Sequence, residues 1–154
     1  MNTLICIKFK VVHAPVPQPR QRFRVITPKN KPAMVHNYTP AKHPVQDYKR
    51  AVLDAFQNVY DGEPLLGPLS LKLVFAMPRP KRLIWKRRPM VHEWFNGRAD
   101  RDNLQKSFMD ALNGVAWKDD RQVVSGPVDV IYAAGNEEPY TSASLRTLTE
   151  KPQV

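Results

Sequence analysis

The sequence holds one cysteine, Cys6, among its 154 residues. A single thiol excludes an intrachain disulfide and a cysteine-rich zinc centre. Cys6 lies in the apolar run Leu4-Ile5-Cys6-Ile7, which predicts a buried strand thiol rather than a nucleophile. Glycine is scarce, with 6 residues against 15 prolines. Connections are therefore expected to be irregular but ordered. No apolar run is long enough to span a bilayer, and neither a basic amphipathic helix nor a lipidation signal supplies an anchor. A signal-peptide pattern is also missing, because Lys8 and Lys10 interrupt the first apolar run. A cytoplasmic protein is the expectation.

Acids are lacking where bases abound. The net charge is +10, and residues 1–50 carry 10 Lys and Arg against 1 acid. The balance is 8 against 5 over 51–100 and 6 against 8 over 101–154. A solubilising surface explains the total but not the gradient. A polyanionic partner explains both, and nucleic acid ranks above membrane.

The periodicities predict α+β. Thr3 to Phe9 reads as a strand. Residues 13–40 hold six prolines and read as a loop or basic arm, in which Arg20, Arg22 and Arg24 project to one side if extended. From Pro44 to Tyr60, Val45, Tyr48, Val52 and Phe56 recur at helical spacing, with Asp61-Gly62 as the stop. Leu69 to Met77 alternates as a second strand. Residues 78–99 form another basic, irregular stretch, with Arg79, Lys81, Arg82, Lys86, Arg87 and Arg88 around Ile84 and Trp85. Asp102 to Leu112 is the clearest helix, stopped by Asn113-Gly114. Val123-Val124 and Val128 to Ala133 make one interrupted strand or two short ones. Residues 135–154 read as a polar tail, partly disordered, after a domain over 1–134. The expected architecture is a small mixed sheet with about two main helices in β-α-β-α-β order. Its expected core combines Leu4, Ile5, Ile7, Leu71, Leu73, Phe75, Leu104, Phe108, Leu112 and Val130.

Five of the 14 acids fall between Asp100 and Asp120. Asp100 and Asp102 are two apart and point the same way if extended. On the following helix, Asn103, Lys106 and Asp110 lie opposite the Leu104/Phe108/Leu112 stripe. Asp119 and Asp120 follow a turn and could return to the same end. Carboxylates brought together repel, and a divalent cation relieves that. Oxygen-only ligands select hard ions, Mg²⁺ with Mn²⁺ as substitute. Such an ion can activate water and stabilise a phosphoryl oxygen, while a lysine holds the phosphate. The ordinary alternative is that Asp102 caps the helix, Asp102 and Lys106 form a helical ion pair, and Asp119-Asp120 make a turn. D-x-D is a weak signal, and spacing leaves both readings open.

As a longer string the stretch is more specific. Asp100-Arg101-Asp102-Asn103-Leu104-Gln105-Lys106, then Asp110-Ala111-Leu112, then Asp119-Asp120-Arg121-Gln122-Val123 closely resembles the RusA family of crossover junction endodeoxyribonucleases, common in phages and prophages. Weaker likeness covers Pro19 to Arg24 with Tyr38-Thr39-Pro40, and Met77 to Lys81. Arg98-Ala99 depart from the Lys-Pro of many relatives, and His92 lies farther upstream than their histidine. The resemblance implies a homodimeric, Mg²⁺-dependent nuclease that nicks opposing strands of a four-way (Holliday) DNA junction symmetrically. It implies Asp100, Asp102 and Asp120 as metal-binding catalytic carboxylates, with Lys106 as the catalytic lysine and Asp119 as a further candidate ligand. Arg20, Arg22, Arg24, Arg79, Lys81, Arg82, Arg87 and Arg88 are the candidate DNA-backbone contacts. Two alternatives stand beside it: a non-enzymatic DNA-binding protein, and a nuclease acting mainly on flaps or forks.

Overall fold

The computed structural model describes residues 4–85 and 87–152. Thr3 and Lys86, which the sequence placed in the first strand and the second basic stretch, lie outside the described residues. The described chain runs β1 (Cys6–Val11), β2 (Arg22–Ile26), β3 (Met34–Tyr38), α1 (Pro44–Gln57), β4 (Leu69–Met77), β5 (Glu93–Trp94), α2 (Arg101–Leu112), β6 (Val123–Ser125), β7 (Val128–Tyr132) and β8 (Tyr140–Thr147). One mixed sheet has the order β1-β8-β4-β7-β5, with β6 also beside β4. β2 and β3 form a separate hairpin. The α+β class and two-helix plan hold; the strand order is richer than β-α-β-α-β.

β4 is the axis of the sheet. It pairs antiparallel with β8 and parallel with β6 and β7. Leu69, Leu71, Leu73 and Phe75 are buried on one side of it, as their alternation requires. Against them pack Val52 and Phe56 of α1 and Leu104, Phe108 and Leu112 of α2. Phe9 joins the layers, its ring 5.6 Å from Phe56 and 6.0 Å from Phe108. Such a side chain contributes about 1.5–3 kcal/mol by leaving water. Pro44 opens α1, where its missing N–H costs nothing, and His43 Nδ1 accepts from the Val45 amide at 3.1 Å.

Several expectations change. β1 begins at Cys6, with Ile7, Phe9 and Val11 buried and Cys6 exposed. Alternation turns Ile7 inward and therefore turns Cys6 out. Leu4 precedes the strand and is 67% exposed, so it is not core. Within 13–40 the chain forms the β2–β3 hairpin, with every strand residue exposed. The largest correction concerns 135–154. Tyr140–Thr147 is no tail but the strand between β1 and β4. Thr141, Ala143 and Leu145 face the core, and the Thr141 hydroxyl pairs with the Tyr48 phenol at 2.8 Å.

No helix among the described residues is long and apolar enough to cross a membrane.

Candidate functional site

The first turn of α2 carries the two leading carboxylates. Asp100 occupies the extended position before the helix, and its side chain makes no capping bond. Asp102 lies in the first turn, its side chain 84% exposed, with Arg101 Nε at 3.9 Å. Acids there suit the positive end of the helix dipole. Lys106, one turn on, is exposed, and among the described residues it makes neither the ion pair with Asp102 nor any other polar bond. Asp102 thus neither caps the helix nor pairs with Lys106.

The proline-rich segment is tied to this helix. The Gln18 amide donates to the Asn103 carbonyl at 2.8 Å. Ser107 Oγ lies 2.7 Å from the Val16 carbonyl and 2.9 Å from that of Leu104. These bonds bring the root of the basic arm beside the acids. Gln18 Oε1 is buried there and has no partner among the described residues.

The later acids separate by role. Asp110 reaches Lys49 of α1 at 3.4 Å and ties the two helices together. Asp119 caps a single 3₁₀ turn over Asp120–Gln122. Its Oδ1 accepts from the Arg121 amide and Nε, and its Oδ2 accepts from Arg121 Nη2 at 2.9 Å. Those bonds hold its carboxyl down at about 2. Both oxygens of Asp119 thus accept from Arg121, and its carboxylate caps the turn. Gln122 completes the turn, accepting from the Lys118 and Asp119 amides and donating to the Leu65 and Gly67 carbonyls. Asp120 is held differently: its Oδ1 accepts from Trp117 Nε1 at 2.7 Å, and its Oδ2 has no hydrogen bond among the described residues. Trp117 is fully buried, and a buried indole N–H needs an acceptor. Sequence reasoning missed this positioning residue, although a tryptophan three places before the acid was the available signal.

Asp100, Asp102 and Asp120 therefore keep free carboxylate oxygens, hard donors suited to Mg²⁺ or Mn²⁺. They are not gathered: among the described residues no three His, Cys, Asp or Glu side chains are placed to share an ion.

Of the candidate DNA contacts, Arg20, Arg22, Arg24, Lys81, Arg82, Arg87 and Arg88 are exposed. In β2, Arg22 and Arg24 lie opposite Tyr38 and His36 of β3, on one face of the hairpin. The Arg88 guanidinium sits 5.8 Å from the Trp85 ring centre. Arg79 is the exception, its side chain 6% exposed. It donates to the Ala133 and Val91 carbonyls and meets Glu93 at 3.2 Å. Its guanidinium pins 91–93 to 133, in contrast to the exposed cations expected to contact DNA. His92 is on the surface, 2.6 Å from Glu137, whose carboxyl that bond lowers.

A protein-family model described as endodeoxyribonuclease RusA matches residues 13–139. The chain is also 30% identical over 150 residues to the uncharacterised protein YqaN of Bacillus subtilis (strain 168), covering 94% of this chain and 98% of that one. The match spans α2 with its free acids, the Trp117–Asp120 bond and the Asp119 cap, and by it the chain belongs to the RusA family of endodeoxyribonucleases.

Proposed function

We propose that the protein is a Mg²⁺-dependent endonuclease that resolves four-way DNA junctions in the cytoplasm, acting as a homodimer that nicks two opposed strands symmetrically. The observation that carries this reading is the division among the carboxylates. Asp119 and Asp110 bond to Arg121 and Lys49, whereas Asp100, Asp102 and Asp120 keep free oxygens and Lys106, one turn along α2 from Asp102, makes no polar bond among the described residues.

Asp100, Asp102 and Asp120 would hold the ion. Mg²⁺ would supply an activated water and charge neutralisation at the phosphoryl oxygen. Trp117 fixes the direction of Asp120. Lys106 places an ammonium where a phosphate oxygen gathers charge. The exposed arginines of the hairpin and of 81–88 grip the backbone and carry no sequence information. A two-fold dimer would match the symmetry of a four-way junction.

The absence of a preformed three-acid group among the described residues favours a second reading, a DNA-binding protein without catalysis. Cleavage of a synthetic junction with Mg²⁺, comparing the parent with Asp102→Asn, separates the two. Paired symmetric nicks by the parent alone, with the variant still binding, support the resolvase. Binding without cleavage by both moves the protein to the second reading. Matched flap and linear substrates test whether the junction is preferred.

A further inference from the structure

Both helices pack on one face of the sheet, and on the opposite face Cys6, Lys8, Lys10, Lys72 and Arg146 are exposed. Register assigns the residues of that face. Cys6, Lys8 and Lys10 of β1 stand opposite Arg146, Ser144 and Ser142 of β8. Arg146 and Ser144 in turn stand opposite Ser70 and Lys72 of β4. Directly paired residues share a face. The alternate positions Ile7, Phe9, Leu71 and Leu145 are buried toward the helices, so this row points away from them. Lys8, Lys72 and Arg146 line a depression of about 340 Å³ together with Cys6, Ser70, Pro127 and Ser144. None of the three cations has an ion pair among the described residues. Two acids lie near the row: Asp129 of β7 stands opposite Val74, one alternate position along β4 from Lys72, and Glu137, engaged by His92, also feels the charge of Lys10.

We propose that this face is a second DNA-backbone surface, distinct from the arginine-bearing hairpin and loops, on which phosphates seat between Lys8, Lys72 and Arg146. Ammonium and guanidinium groups around small hydroxyl-bearing residues suit a phosphodiester, and the short serines leave the backbone room to approach. Charge argues against a second copy of the chain, since a two-fold pairing would set these cations against their own kind. The proposal rests on reading the chain as a DNA-acting protein. On a molecule that handles a branched substrate, it gives an arm leaving the cleavage site a place to lie.

Cys6 is the only cysteine in the sequence, which makes it a built-in reporter. The experiment measures its alkylation by a maleimide, without DNA and with saturating four-way junction in EDTA. In parallel, junction affinity is followed against salt for the full chain and for K8Q/K72Q/R146Q. The expected result is fast alkylation of the free protein, at least tenfold slowing by DNA, and a shallower salt slope in the variant. The slope should fall by about 3, from roughly 0.9 for each phosphate that is no longer neutralised. Unchanged alkylation with DNA bound, or a variant with the parent's slope, overturns the proposal. Slow alkylation of the free protein that is relieved in a monomeric variant also overturns it, by showing a self-association face. Cleavage with Mg²⁺ is scored separately. A chain that cleaves with Cys6 unprotected loses only this inference. One that binds and protects Cys6 without cleaving loses only the nuclease reading. A chain that does not bind DNA loses both.

Discussion

The indole N–H of Trp117 donates to Asp120 at 2.7 Å, so a fully buried ring sets the direction of the carboxylate three residues later. Trp117→Phe keeps an aromatic ring in the core and removes the donor. Its expected effect is a rise of about tenfold to a hundredfold in the Mg²⁺ concentration for half-maximal cleavage, the usual consequence of removing a group that orients a metal ligand. Junction affinity in EDTA should stay at the parent's level. Titrating single-turnover cleavage with Mg²⁺ checks this, and a variant with lower Tm but the parent's Mg²⁺ dependence would assign Trp117 to packing alone.

The two adjacent acids should part company on mutation. Asp120→Asn is expected to abolish cleavage, while Asp119→Asn, which can still cap, retains most of it. Gel assays of paired nicking on one junction, run with both variants, decide between them.

Asp119 also carries a pH signature. Its folded-state value of about 2 lies below the ordinary 3.8. A carboxyl lowered on folding adds stability that is present above the unfolded value and lost as pH falls through the folded one. Denaturant unfolding of the parent should therefore lose this contribution between about pH 4 and pH 2, and Asp119→Ala should flatten that part of the profile. Because the pair is exposed, high salt should shrink the difference.

Arginines that look alike in sequence should behave oppositely. Arg79→Ala removes a guanidinium that pins 91–93 to Ala133. It should speed amide exchange in Glu93–Trp94 and leave the salt slope of DNA binding unchanged. Arg22→Ala with Arg24→Ala should flatten that slope by about 2 and leave exchange alone.

Chain shortening tests the reassigned C-terminal segment. Ending the chain at Ala134 deletes β8 from between β1 and β4. The expected product lacks a cooperative thermal transition by circular dichroism. Ending it at Glu150 keeps β8 whole and should leave Tm within a few degrees.

Legibility follows from how strongly each segment advertises its burial. β4 was legible because Leu69, Leu71, Leu73 and Phe75 alternate without interruption, and α2 because Leu104, Phe108 and Leu112 recur at helical spacing. β8 was missed because its inward residues are Thr141, Ala143 and Leu145, only one of them large and apolar. Serine and threonine between them read as tail, although a central strand needs only small side chains where neighbours supply the bulk. The hairpin escaped because its apolar residues, such as Phe23 and Val25, are exposed and answer to no core periodicity. At the site, the D-x-D-N-L-x-K string was visible. The division of labour between Asp119 and Asp120 was not, since it depends on which donor each oxygen meets.

The place of β8 has a consequence for synthesis. Among the described residues β1 pairs in the sheet only with β8, so this strand, translated long before Tyr140–Thr147, waits for that segment before it can join the sheet. Helix α2 and its acids are translated while the sheet still lacks that inner strand. Pairings of such long sequence separation form slowly, and a nascent chain has no closed core on which to orient Asp100, Asp102 and Asp120. A DNA-cutting activity is thereby withheld from incomplete chains: nicking is expected only from polypeptides translated through Thr147.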